Sequence, residues 1–305
     1  MRTAHTTNLL LLHLIVLVWG LTGILGREIS LDPFSLVWWR VLIAVVSIAG
    51  ISIVFRTPIK ARLTDILRFG GVGVLTAAHW VCFFASIKYS KISVALVVLS
   101  TSAFFVSLLH PLIKRERPRR YEMLLGIVVC AGIFLIFKFE SKYTTGILLS
   151  LLAAFLAALF STLNAQLVVT HNPTKMAFWE MVFACASLSL FMALSGRSDE
   201  FFAMPAPRDF QLLLVLGFLC TGVAFILGIR VMRVLSPFTC ALAINMEPVY
   251  TILIALFLYG SDEWMSWEFY VGGSVIISTL FLDTWLKRRA QVKNIDAAAE
   301  YTARL

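Results

Sequence analysis

Charge is scarce in this chain: 14% of its 305 residues are Asp, Glu, Lys or Arg and 60% are hydrophobic, whereas about a quarter of the residues of a soluble domain are charged. Such a chain is an integral membrane protein. Linker composition is equally scarce. The longest break between apolar windows runs from Gly196 to Asp209, with Pro205 and Pro207, and is a modest loop, which excludes separate soluble domains. There is no G-x-x-x-x-G-K-[ST] loop and no H-E-x-x-H pair, and no segment between windows could house a nucleotide domain, so the chain is read as no enzyme and calls for no cofactor. Cys82, Cys130, Cys185, Cys220 and Cys240 form no C-x-x-C pair and fall within apolar windows, where they read as small core hydrophobes and not as metal ligands.

What the chain has is long apolar runs. A bilayer core needs about 20 apolar residues per spanning helix. Ten such windows are present, at 8–26, 34–55, 66–87, 92–113, 121–139, 145–167, 174–195, 210–232, 236–260 and 266–286. The first is longer than a signal-peptide core and no A-x-A-like site follows it, so it is read as a helix that stays. The net charge of +9 is not gathered into one basic patch or tail, which argues against nucleic acid as a partner. With the N-terminus placed inside, 18 of the 26 Lys and Arg fall in inner segments, seven in outer ones, and Arg40 lies within a span. The positive-inside rule then predicts a multi-pass protein of the cytoplasmic membrane with both termini cytoplasmic.

Internal repetition divides the chain. LVWWR at 36–40 returns as AFWE at 177–180, at an offset of 140, which matches Arg40 to Glu180. STSAFFVSLLHPLIKRE at 100–116 lies over EPVYTILIALFLYGSDE at 247–263, at an offset of 147, which matches Thr101 to Pro248 and Glu116 to Glu263. The expected architecture is all-α, with ten transmembrane helices in two five-helix repeats, residues 1–143 and 144–305. An odd number of spans makes the second repeat enter the membrane from the opposite side, so the repeats are inverted, a mark of transporters whose solute site lies at the repeat interface.

The WG at 19–20, the WWR at 38–40 and the paired P…E…G punctuation after helices 4 and 9 resemble the EamA-type permeases of the drug/metabolite transporter superfamily, over the whole chain. The resemblance implies a ten-helix basket whose central cavity is walled by helices 1–4 and 6–9, and solutes such as amino acids, nucleotide sugars, phosphorylated sugars and other amphipathic metabolites. The chain departs from the family near the helix 9 proline, where N-M-E-P stands in place of apolar text.

That stretch carries the foremost candidates. An acid near the bilayer midplane costs roughly 2.5–3.5 kcal/mol, so Glu247 is expected to face the protein interior or a wet cavity. Two readings stand: a structural acid bonded to a neighbouring helix, or a group that meets the solute or a coupling proton. Pro248 frees a backbone carbonyl one turn earlier. Tyr250 and Thr251 share the face of Glu247, while Asn245 points elsewhere. Ser100, Thr101 and Ser102 occupy the matching depth of helix 4. Arg40 and Glu180 each lie about 7 residues, or ~10 Å, into their helices. Arg40 is read either as snorkelling to headgroups or as an outer cation for a carboxylate or phosphate, and Glu180 as lining a cavity or a salt bridge. Thr76, His79 and Trp80 share a face of helix 3, and Ser161 and Asn164 one of helix 6, suited to interhelical hydrogen bonds or to a cavity wall. Trp19 is a site residue or part of an interfacial belt. The expected function is a secondary transporter of a small amphipathic metabolite, an amino acid or related solute, with a channel-like uniporter or a membrane-embedded enzyme as the alternative. The expected partners are that solute and the lipid bilayer, and both monomer and homodimer are compatible with the sequence.

Overall fold

Helix starts are written plainly at two places. Asp32 precedes Pro33 and Asn172 precedes Pro173, and each acceptor side chain caps the helix behind it: Asp32 accepts from the Phe34 amide at 2.8 Å, and Asn172 from Thr174 at 2.9 Å and Lys175 at 3.4 Å. A proline in the first turn forfeits no internal hydrogen bond, and a capping oxygen satisfies an otherwise orphaned amide. The two helices so begun, α2 (Pro33–Val54) and α8 (Pro173–Leu194), are both 22 residues long, and their starts stand 140 positions apart. This is the repeat seen at the level of backbone hydrogen bonds.

The computed structural model describes residues 2–115, 120–196, 202–235, 243, 246–279, 281–282 and 285–286, with no β-strand among them. Besides α2 and α8 the helices are α1 (Arg2–Glu28), α3 (Leu63–Tyr89), α4 (Ile92–Leu99), α5 (Ser102–Lys114), α6 (Arg120–Phe139) and α7 (Thr144–Leu167). There follow α9 (Pro207–Leu214), a π-helical run Val215–Val223, α10 (Ala224–Val231), α11 (Glu247–Tyr259) and α12 (267–279). Among the described residues seven segments are long and apolar enough to cross a membrane, with α4–α5 acting as one and α9 through α10 as another. With α6, α11 and α12 these make the ten transmembrane helices of two inverted five-helix repeats. The protein is multi-pass.

The repeats interlock. The first-repeat helix α3 packs most extensively against α7 and α8 of the second, and α2 packs against α8 and the π-helical run. On the other side α1 and α4 pack against α11. The main apolar core accordingly draws on both repeats, with Phe69, Phe84, Leu36 and Ile48 meeting Met176, Met181, Leu213 and Leu216. Large apolar side chains such as Ile53, Leu124, Phe134, Leu194 and Phe257 point outward, as a bilayer allows.

Local irregularities appear where single-span windows were expected. The fourth span breaks between α4 and α5, where the Ser100 and Thr101 hydroxyls turn back to the Val97 and Val98 carbonyls. The eighth relaxes into π geometry, in which Thr221 Oγ1 donates to the Leu216 carbonyl five residues back. In the ninth, the described helix begins at Glu247, so Pro248 occupies its first turn and not the middle of a helix. Ile244, whose carbonyl Pro248 was expected to free, and Asn245 lie outside the described residues.

Candidate functional site

Arg40 is the centre of the candidate site. Its position on α2 gave it two readings, and snorkelling is not what the structure has: the side chain is 2% exposed and lies wholly within protein. Its Nε donates to Thr221 Oγ1 at 2.6 Å, and its guanidinium stands 4.0 Å over the Trp80 ring and 5.4 Å from that of Phe84. A desolvated guanidinium over aromatic faces is stabilised by the ring quadrupoles and by any hydrogen bond that spends a donor. The π-helical run makes the approach possible. At Gly217 an added Cβ would stand 2.9 Å from the Arg40 carbonyl oxygen, so α2 and this span meet backbone to backbone, with Thr221 one turn along. π-Turns recur at functional sites because they shift one side chain out of α-helical register.

Glu247 lies across the repeat interface and is partly buried. No described residue donates a hydrogen bond to its carboxylate, yet Arg40 and Glu247 each feel the other's charge, without a direct ion pair. Arg40 acts similarly on the Cys220 thiol. Around Glu247, Thr251 Oγ1 donates to its backbone carbonyl at 2.9 Å, and Pro248 is buried beside it. Gly20 admits α11: a Cβ there would lie 2.5 Å from Thr251 Oγ1, which gives the second letter of the WG pair a packing reason. The Trp19 ring lies against Gly228 of α10, and the Tyr250 hydroxyl is 3.3 Å from His13 Nδ1. Trp80 meets Phe225 edge-on at 6.0 Å, so the wall around Arg40 is aromatic from both repeats.

Other sequence candidates are placed elsewhere. His79 Nδ1 lies 2.8 Å from the Ala153 carbonyl, joining α3 to α7, and its ring meets Phe160. The Thr76 hydroxyl donates to the Val72 carbonyl and that of Ser161 to Ala158, each within its own helix. Ser100 and Thr101 are likewise satisfied locally, and neither they nor Ser102 bonds to Glu247 or Pro248. Glu180 is fully buried, and its Oε2 accepts from Asn164 Nδ2 at 3.0 Å. Arg40 and Glu180, matched by the repeat, do not bond to each other.

Sequence reasoning missed a polar network at one end of the bundle. Glu263, 1% exposed, accepts from the Ser93 amide at 3.1 Å and its hydroxyl at 3.0 Å, capping α4, and pairs with Arg27. Arg208 pairs with Glu28, which also accepts from the Tyr259 hydroxyl at 3.0 Å, and Asp209 takes the Ser30 amide and hydroxyl. Lys91 donates to the Trp264 carbonyl, and Glu140 accepts from the Ser266 amide at 3.1 Å. All these bonds join one repeat to the other. The recurrence of Glu116 as Glu263 was the available signal, and nothing in it named Ser93 or Arg27 as partners. At the opposite end the cross-repeat bonds among the described residues are sparser, with His171 3.4 Å from Asp65 and Trp179 Nε1 2.9 Å from the Ile59 carbonyl.

Comparison with known proteins bears on this arrangement. The chain matches the EamA-like transporter family over residues 6–138 and 144–284. A protein of Archaeoglobus fulgidus named as an uncharacterized transporter is 26% identical over 294 residues, covering 90% of this chain and 96% of its own length. Pseudopaline exporter CntI of Pseudomonas aeruginosa is 30% identical over 147 residues, 48% of this chain and 50% of the exporter. A solved crystal structure shares the fold, with a TM-score of 0.63 over 93% of this chain and 99% of its own, at 17% identity.

Proposed function

The chain belongs to the EamA-like transporter family, and from that premise we propose that it is a secondary transporter working by alternating access, in which repeats 1–143 and 144–305 rock against each other around a site between them. The observation that carries this reading is Arg40, a cation held inside the protein at the repeat interface, under aromatic rings and within electrostatic reach of Glu247. A desolvated cation and an acid to which no described residue donates a hydrogen bond suit a small amphipathic solute bearing a carboxylate or a zwitterion, such as an amino acid or related metabolite. Its anionic end would meet Arg40, its apolar part Trp80 and Phe84, and its cationic end, or a coupling proton, Glu247. The network around Glu263 acts as the closed gate of one face. By the charge bias that face is outer, with the protein in the cytoplasmic membrane and both termini cytoplasmic. The name of the Pseudomonas aeruginosa relative supports movement outward.

The test begins with thermal-shift screening of the purified chain against amino acids, nucleosides and organic acids, since a ligand bound only by the folded state raises its melting temperature. A stabilising solute should then show saturable uptake and counterflow in liposomes. Linear flux without counterflow would establish a channel instead. Glu247→Gln should remain folded while transport falls or its pH profile moves, and an unaltered rate and profile would remove Glu247 from the mechanism.

A further inference from the structure

Glu180 presents a problem of donors. The side chain is fully buried, Oε2 accepts from Asn164 Nδ2 at 3.0 Å, and Oε1 has no partner. Asn164, itself 2% exposed, leaves its Oδ1 equally without one. An ionised carboxylate can only accept, as can an amide oxygen, so two acceptors on touching side chains stand without a donor. An unpaired buried charge is among the costliest features an interior can hold.

No cation among the described residues relieves it. On α2, Arg40 is engaged with Thr221 and Trp80. On α3, Asp65 and Arg68 pair with each other near the helix start, His79 turns to Ala153, Lys88 bonds the Ile29 carbonyl, and Cys82 and Tyr89 lie nearer the far end. The α7 sequence holds no titratable side chain, Arg230 of α10 is exposed, and on α8 itself Lys175 sits in the first turn and Cys185 beside Ser189. None of these donates to Glu180.

A single proton on Oε1 removes both deficits. It cancels the charge and turns one orphan acceptor into a donor, and the other orphan belongs to the side chain already in contact. The place of this pair gives the proton a role. A Cβ at Gly73 would lie 2.1 Å from the Glu180 carbonyl oxygen, so α3 of the first repeat and α8 of the second touch backbone to backbone there, closing the site to water.

We propose that Glu180 carries a proton shared with Asn164 Oδ1 in this packing and gives it up to water when α3 parts from α8, as a proton site of the transport cycle separate from Arg40 and Glu247. The release step rests on the alternating-access reading, whereas the protonation itself does not.

The two parts are tested separately. Infrared difference spectra of the full-length protein at neutral pH should show a carboxylic acid C=O band that disappears in Glu180→Gln and shifts in Asn164→Leu. Glu180→Gln supplies an amide where the neutral acid stood and should keep the wild-type melting temperature, while the wild-type band serves even if a variant fails to fold. A carboxylate band lost in its place would overturn the proposal. In liposomes, a pH gradient of one unit should raise wild-type solute accumulation about tenfold for one proton per solute. Glu180→Gln should keep counterflow and lose that response. Gradient-driven accumulation surviving in Glu180→Gln would overturn the release step. Absence of counterflow in the wild type would overturn alternating access and with it the release step, leaving the infrared result to decide protonation alone.

Discussion

Replacing Glu263 by alanine is the sharpest perturbation of the proposed gate. The carboxylate is 1% exposed and joins three donors, the Ser93 amide, the Ser93 hydroxyl and Arg27, all from the other repeat. Breaking a buried charged pair costs about 3–5 kcal/mol. Arg27 keeps 30% of its side chain in solvent, which screens its share, and about 2–3 kcal/mol is the fitting figure. An open state would lack these bonds in any case, so the loss falls on the closed state and raises the open fraction roughly 30- to 150-fold. Cys220 reports it, being buried beside Arg40. In a background that keeps Cys220 and replaces Cys82, Cys130, Cys185 and Cys240 by alanine, labelling by a membrane-impermeant maleimide follows the open fraction when opening is fast relative to reaction. The rate should rise by that factor from the Glu263 side, with Glu263→Gln in between because it keeps an acceptor for Ser93. An unchanged rate in a protein that still melts cooperatively, or acceleration from the opposite side only, would refute the gate.

Gly73→Ala should lower the melting temperature sharply, since its Cβ would sit 2.1 Å from a backbone oxygen and overpacking costs about 1–3 kcal/mol or more. Gly71→Ala, two residues along in open space, should hold or raise it by helix propensity. Asp32→Ala and Asn172→Ala should each cost about 1 kcal/mol of stability, as lost caps do, measured by thermal or chaotrope melts, and equal effects would show the two repeats using the same start signal. Arg40→Lys keeps the charge and loses the planar stack over Trp80 and the Nε bond to Thr221. Its KM for anionic solutes should rise about tenfold or more, and an unchanged KM would make Arg40 a packing residue.

The sequence alone was enough for the spans, the two repeats and the family, because each depends on local composition or on self-similarity. Bilayer thickness demands long apolar runs, and the offset of 140 that pairs Arg40 with Glu180 survives in the capped starts of α2 and α8. Neither reading of Arg40, snorkelling to headgroups or an outer cation for an anion, specified its burial, since how far a long side chain reaches depends on what stands around it. Tertiary structure alone brought Arg40 to Thr221, 181 positions away, and Glu263 to Ser93, 170 positions away. It also turned the Ser100 and Thr101 hydroxyls back on their own helix, and it left Glu180 and Asn164 with an oxygen each to satisfy. The physical reason is that a span's pattern says which side chains must avoid lipid, whereas their partners are chosen by how closely two backbones approach, as at Gly20 and Gly73, and that closeness belongs to pairs of helices and not to either one.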